Sequence, residues 1–102
     1  MMMTQHFETR LEAYYRLILL SFLNDRPGRQ ANSHLAQLWF AHIHAPIGMD
    51  KLRTVAHWLH EQQLITLTPL GEHLEGYVLT QHGQEVAEGT STVPGVARVI
   101  PE

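Results

Sequence analysis

Lys51, Arg53, Thr54 and His57 lie within residues 49–62, where the apolar Leu52, Val55, Ala56 and Leu59 recur at three- and four-residue spacings. That periodicity predicts a helix with one buried face, which turns Asp50, Lys51, Arg53, Thr54, His57, Trp58 and Glu61 outward. Such a set can engage a polyanionic duplex. Arginine offers a planar fork that matches guanine O6 and N7, threonine reaches a base edge or a thymine methyl, and lysine and histidine suit phosphates. Asp50 and Glu61 oppose phosphate contact. A second polar group, Arg26, Arg29, Gln30, Asn32 and His34, surrounds the start of another helical stretch, where backbone N–H groups add to the attraction for phosphate. Arg98 stands alone in the C-terminal stretch.

Other chemistry is poorly provided for. His42-x-His44 and His57-x-x-His60 invite a metal reading, but helical residues two apart point to different faces, and a site needs three or four convergent ligands. The chain has no cysteine, which removes thiolate ligands, disulfides and cysteine nucleophiles together. There is no nucleophile–base arrangement, phosphate-cradling glycine loop or paired-carboxylate site. Neither a cofactor nor an enzymatic activity is expected.

The elements that must position these residues are legible in outline. Residues 8–24 carry Leu11, Tyr14, Tyr15, Ile18, Leu19 and Phe22 on one broad helical face, and Ala13, Leu17 and Leu20 on a narrower stripe. A monomer would leave that stripe wet, which makes it a candidate dimer or partner contact. The segment 24–28, Asn-Asp-Arg-Pro-Gly, ends the helix, and Asn32-Ser33 caps a second one through about Ala45, with Leu35, Leu38, Trp39 and Ile43 inward. Pro46-Ile47-Gly48 separates it from the third helix. Residues 64–68 and 77–80 alternate as two strands around a turn holding Glu72 and Glu75. Thr80 caps a last helix over 81–88, which Gly89 stops. Residues 90–102 read as an extended tail beside a domain of residues 1–89.

Helix, capped helix, break, helix, hairpin and helix is the order of winged helix-turn-helix regulators. Residues 52–65 resemble the recognition helix and first wing strand of ArsR-, MarR- and PadR-like domains. Residues 77–87, with Leu79-Thr80-x-x-Gly83 at their centre, resemble the strand-to-helix exit of the same group. A closer resemblance, over almost the whole chain, is to small winged-helix proteins of Mu-like prophages. It rests on Arg16-Leu17-Ile18-Leu19-Leu20, on residues 57–64 from His57-Trp58 to Leu64, and on Val93-Pro94-Gly95-Val96-Ala97-Arg98. The resemblance implies an α+β, mainly α fold with three helices, a two-stranded wing, a short last helix and the tail. Two departures stand out. Gln63 takes a place usually held by glycine, so a left-handed helix end costs about 1 kcal/mol or gives way to another geometry. The wing turn carries two acids where DNA-binding wings often carry arginine or lysine. Trp39 is expected in the core and Trp58 under the wing.

At 102 residues and 44% hydrophobic content the chain has the size and apolar mass of one modest domain, for which dimerisation is a natural source of extra burial. Its net charge of −3 runs against an unaided nucleic-acid binder, although eight histidines can gain charge near a polyanion. No charged start or apolar stretch marks a signal peptide or a membrane span, so a cytoplasmic protein is expected. The leading expectation is a homodimeric, phage-type transcriptional regulator that reads double-stranded DNA through Lys51, Arg53, Thr54 and His57, with Arg29, Asn32 and His34 at phosphates. The alternative is an assembly module that contacts protein through the first helix, the acidic wing and the apolar tail.

Overall fold

The structure, a computed structural model, describes residues 2–99. Within the described residues four helices and a three-stranded antiparallel sheet form a mainly helical α+β fold: α1 (Met2–Asn24), β1 (Gln30–Asn32), α2 (Ser33–His42), α3 (Met49–Glu61), β2 (Ile65–Gly71), β3 (Leu74–Leu79) and α4 (Gln81–Glu88), with a short 3-10 turn at Pro27–Arg29. No helix among the described residues is long and apolar enough to cross a membrane.

The sheet order is β1-β3-β2, so β3 is the central strand and the sheet has three strands where two were expected. The added strand pairs Gln30, Ala31 and Asn32 with Val78, Tyr77 and Gly76. Nothing in Gln-Ala-Asn favours a strand; the open edge of β3 imposes it. On the other side β2 runs from Ile65 opposite Leu79 to Thr68 opposite Gly76. Pro69 is tolerated there because an edge strand has an outer side that needs no ladder bond.

The core is built from Leu19, Leu20 and Leu23 of α1, Phe40 of α2, Leu52, Val55 and Leu59 of α3, Leu64, Ile65 and Tyr77. In α2 the expected inner face holds for Trp39 and Ile43, which pack against the core, and fails for Leu35 and Leu38. Ser33, Ala36 and Phe40 point inward, whereas Leu35 and Leu38 are 45% and 67% exposed. Two small residues let the helix backbone approach its neighbours closely, and a reading weighted by side-chain size selects the opposite edge.

The proposed dimer stripe also changes. Leu20 is fully buried, and Ala13 and Leu17 are half-buried. The cover comes from the same chain: α4 packs on α1, and the Ala97 amide donates to the Ala13 carbonyl at 3.1 Å. The C-terminal stretch is therefore no free arm as far as Val99; Ile100, Pro101 and Glu102 lie outside the described residues. Val96 is buried, and the Arg16 guanidinium donates to the Gly95 carbonyl at 2.8 Å while stacking 3.9 Å from the Trp58 ring centroid. Trp58 thus lies under the tail and not under the wing. Gly95, at φ +98°, approaches so closely that a Cβ would come within 2.8 Å of the Trp58 ring.

Gln63 does adopt the left-handed conformation, at φ 62°, and the Leu64 amide closes the α3 terminus on the Leu59 carbonyl at 3.0 Å. The tight exit aims Leu64 and Ile65 straight into the core. At the far end of the hairpin Thr80 caps α4 by accepting from the Gly83 amide at 3.0 Å, and its hydroxyl lies 3.0 Å from the Leu64 carbonyl. A Cβ on Gly83 would fall 2.0 Å from that same carbonyl oxygen.

Opposite stability effects follow at these two positions. Gln63→Gly relieves a left-handed side chain and should stabilise the protein by about 1 kcal/mol, less the added chain entropy of glycine. Gly83→Ala forces helix and strand apart and should cost about 1–3 kcal/mol. Urea unfolding followed by circular dichroism reads both, and a neutral Gly83→Ala would refute the packing argument.

Candidate nucleic-acid interface

An amphipathic α3 buries Leu52, Val55, Ala56 and Leu59 and leaves Asp50, Arg53, Thr54, His57, His60 and Glu61 exposed. Gly48 precedes its first turn without a side-chain cap, and Asp50 there complements the positive end of the helix dipole. The Thr54 hydroxyl bonds back to the Asp50 carbonyl at 3.0 Å, so its methyl is the part left for an outside partner.

Arg53 and His57, one helical turn apart, converge on a single carboxylate. His57 Nε2 donates to Glu75 Oε2 at 2.8 Å, and Arg53 Nε lies 3.6 Å from the same oxygen. The Tyr77 hydroxyl donates to Glu75 Oε1 at 2.9 Å, and the Glu75 amide donates to Ser33 Oγ at 3.1 Å. Glu75 is only 7% exposed, while the Arg53 and His57 side chains are nearly half exposed. Burial pushes the Glu75 carboxyl up, but hydrogen bonds from His57 and Tyr77 and the charges of His57 and Arg53 outweigh it and hold the group below its ordinary range. Burial and the adjoining carboxylate push the Tyr77 phenol up.

Glu75 was expected on an acidic wing tip. It faces inward because β3 starts at Leu74, and the two-residue alternation then sends Glu75, Tyr77 and Leu79 to one side. Glu72 is the acid that remains at the turn. The remaining predicted residues separate. Lys51 leaves the groove-facing set to pair with Glu12 of α1. Asn32 spends its Oδ1 as the cap of α2, accepting from the Leu35 amide at 2.8 Å. Arg29, left-handed at φ 52°, donates to Asn24 Oδ1 at 3.2 Å, and His34 is exposed on the first turn of α2. Among the described residues, no three histidine, aspartate or glutamate side chains converge to hold a metal. His57 turns to Glu75, and His60 Nδ1 to the Ile65 carbonyl at 3.3 Å.

The fold and site define a small α+β protein in which an exposed helical edge is tied to the central strand of a three-stranded sheet. Over 89 residues, 84% of this chain and 88% of the relative, it is 38% identical to the uncharacterized protein gp26 of Escherichia phage Mu. The chain belongs to the family of that phage protein. No family model and no solved structure matches it.

The carboxylate network predicts an acid-sensitive fold. Because the folded state holds Glu75 below its ordinary value of 4.5, its contribution is complete above that pH and is lost as pH falls toward the lower folded-state value. Urea unfolding between neutral and strongly acidic pH should show this slope in the native protein and a shallower one in Glu75→Gln. Equal slopes would exclude Glu75 as its source.

Proposed function

We propose that this chain is a winged helix-turn-helix protein that binds double-stranded DNA sequence-specifically as a dimeric transcriptional regulator, with α3 in the major groove and β2–β3 as the wing. The observation that carries this reading is the exposed α3 edge on which Arg53 and His57 are steadied by one buried carboxylate. A guanidinium that faces the carboxylate with Nε, 3.6 Å away, keeps both terminal amino groups for guanine O6 and N7. Its rotamer freedom is already reduced, so less entropy is lost when a base is engaged. His57 and His34 supply donors suited to phosphates, joined by the side-chain amide nitrogen of Asn32, whose oxygen is already committed.

The hairpin has a secondary part in this reading. Residues 65–79 contain no lysine or arginine, so the wing braces α3 through Glu75 and adds no permanent cation at a phosphate. With a net charge of −3, affinity then depends on local contacts doubled across two copies. The kinship with the phage Mu protein supports a phage setting and adds nothing on DNA.

Fluorescence anisotropy with labelled duplexes selected from a random pool tests the proposal at two salt concentrations. Binding should weaken steeply as salt rises. Arg53→Ala should cost about 1–3 kcal/mol of binding, roughly fivefold to 150-fold, with native circular dichroism retained at neutral pH. Absence of salt-dependent binding at micromolar protein, or an Arg53→Ala variant that binds normally, would reject α3 as the reading element.

A further inference from the structure

Two apolar surfaces of this chain have no partner within it. One is a groove of about 510 Å³ lined by Phe22, Arg26, Leu35, Leu38, Trp39, Ala41 and His42. Its floor is ordered: Phe22 and Trp39 stack with centroids 5.6 Å apart, His42 lies 5.4 Å from Trp39, and the Arg26 guanidinium sits over Phe22. The other is the start of α1. Residues 5–10 are exposed throughout, and Phe7 and Tyr14 are 60% and 52% exposed. Seven residues apart on a helix, they share one side, with the half-buried Leu11 between them.

We infer that the groove on α2 receives the Phe7–Leu11–Tyr14 edge of a second copy's α1, and that the exchange is reciprocal, closing a dimer. The two surfaces match in length. Phe7 to Tyr14 and Leu35 to His42 each span seven helical steps, about 10 Å. They also match in chemistry. Arg26 and His42 are the ionisable groups lining the groove, which no carboxylate lines, and the incoming helix brings Glu8 beside Phe7. Arg10 lies on that helix too, and Glu12 is already engaged with Lys51.

Other occupants fit less well. Groove against groove would oppose Arg26 and His42 to their own copies. As far as Val99 the chain's own apolar tail is already committed against Arg16 and Trp58, with Val99 beside Gly89. Residues 5–10 of α1, exposed throughout, gain from such a contact, since a helical segment without tertiary packing is marginal in water. One helix and one groove per copy, related by a two-fold axis, give two identical contacts, which brings the buried surface toward that of a stable dimer.

Sedimentation equilibrium at submillimolar concentration tests this without DNA, so its result is independent of the groove-reading role of α3. The native chain should be dimeric. Leu38→Glu and Phe7→Glu, both at exposed positions and therefore expected to keep native circular dichroism, should each weaken dimerisation at least about tenfold. Mixing the two variants should recover part of the association, because the Phe7→Glu copy retains a groove and the Leu38→Glu copy retains a helix. A monomeric native chain overturns the inference. So does a dimer that survives Phe7→Glu, which would indicate groove-to-groove pairing, or one that survives Leu38→Glu, which would place the interface elsewhere.

Discussion

A carboxylate inside a small domain must be surrounded by donors or it will not remain charged, and most of the site follows from how this chain meets that demand at Glu75. The residue lies on the central strand, where its side chain meets α3 and its backbone amide meets α2. Its oxygens take a phenol from its own strand and an imidazole from α3, with the Arg53 guanidinium close by, while its amide is held by Ser33 of α2. The sheet, α2 and α3 are thus joined by polar contacts whose geometry is more restrictive than that of the leucine core around them. Satisfied this way, the buried charge fixes where the exposed edge of α3 stands relative to the hairpin.

The second constraint comes from the C-terminal stretch. Arg16, Trp58 and Gly95 belong to three segments far apart in the sequence, and they meet in one stack. A guanidinium flat on an indole, capped by a carbonyl, needs a residue without a Cβ at position 95, because the ring occupies that space. The stack is a tertiary contact that binds the tail across α1 and α3. It also accounts for the buried Leu20: what looked like a spare stripe on α1 is covered from within.

Most element boundaries and the inner face of α3 could be read from the sequence, because a strong three-four periodicity there agrees with caps and breakers at both ends. The failures have a common physical origin. Ser33 and Ala36 are small residues used for close packing, and a pattern reading prefers Leu35 and Leu38. β1 exists only because β3 offers an unpaired edge. Glu75 was misplaced by starting the strand three residues late, at Tyr77 in place of Leu74. Begun correctly, the two-residue alternation would have turned it inward beside Tyr77. Long-range pairings such as Lys51 with Glu12 leave no local trace, so two residues can belong to one outward helical face and still have different work.

An acidic chain is a poor general binder of nucleic acid, and its arrangement here bears on what kind of binder it could be. Electrostatic attraction to the backbone is largely sequence-independent, so a protein with little of it gains little at random sites. Whatever affinity it has must come from directional contacts such as an arginine fork on guanine, and those are sensitive to rotamer freedom. The hydrogen bond of His57 to the buried carboxylate and the attraction of Arg53 to it reduce that freedom, although the same carboxylate also competes for their charge. The competition favours partners that offer geometry over partners that offer only charge. If α3 reads DNA as proposed, a weak net field and an edge ordered beside Glu75 belong together, and discrimination between sites would gain at the expense of overall affinity.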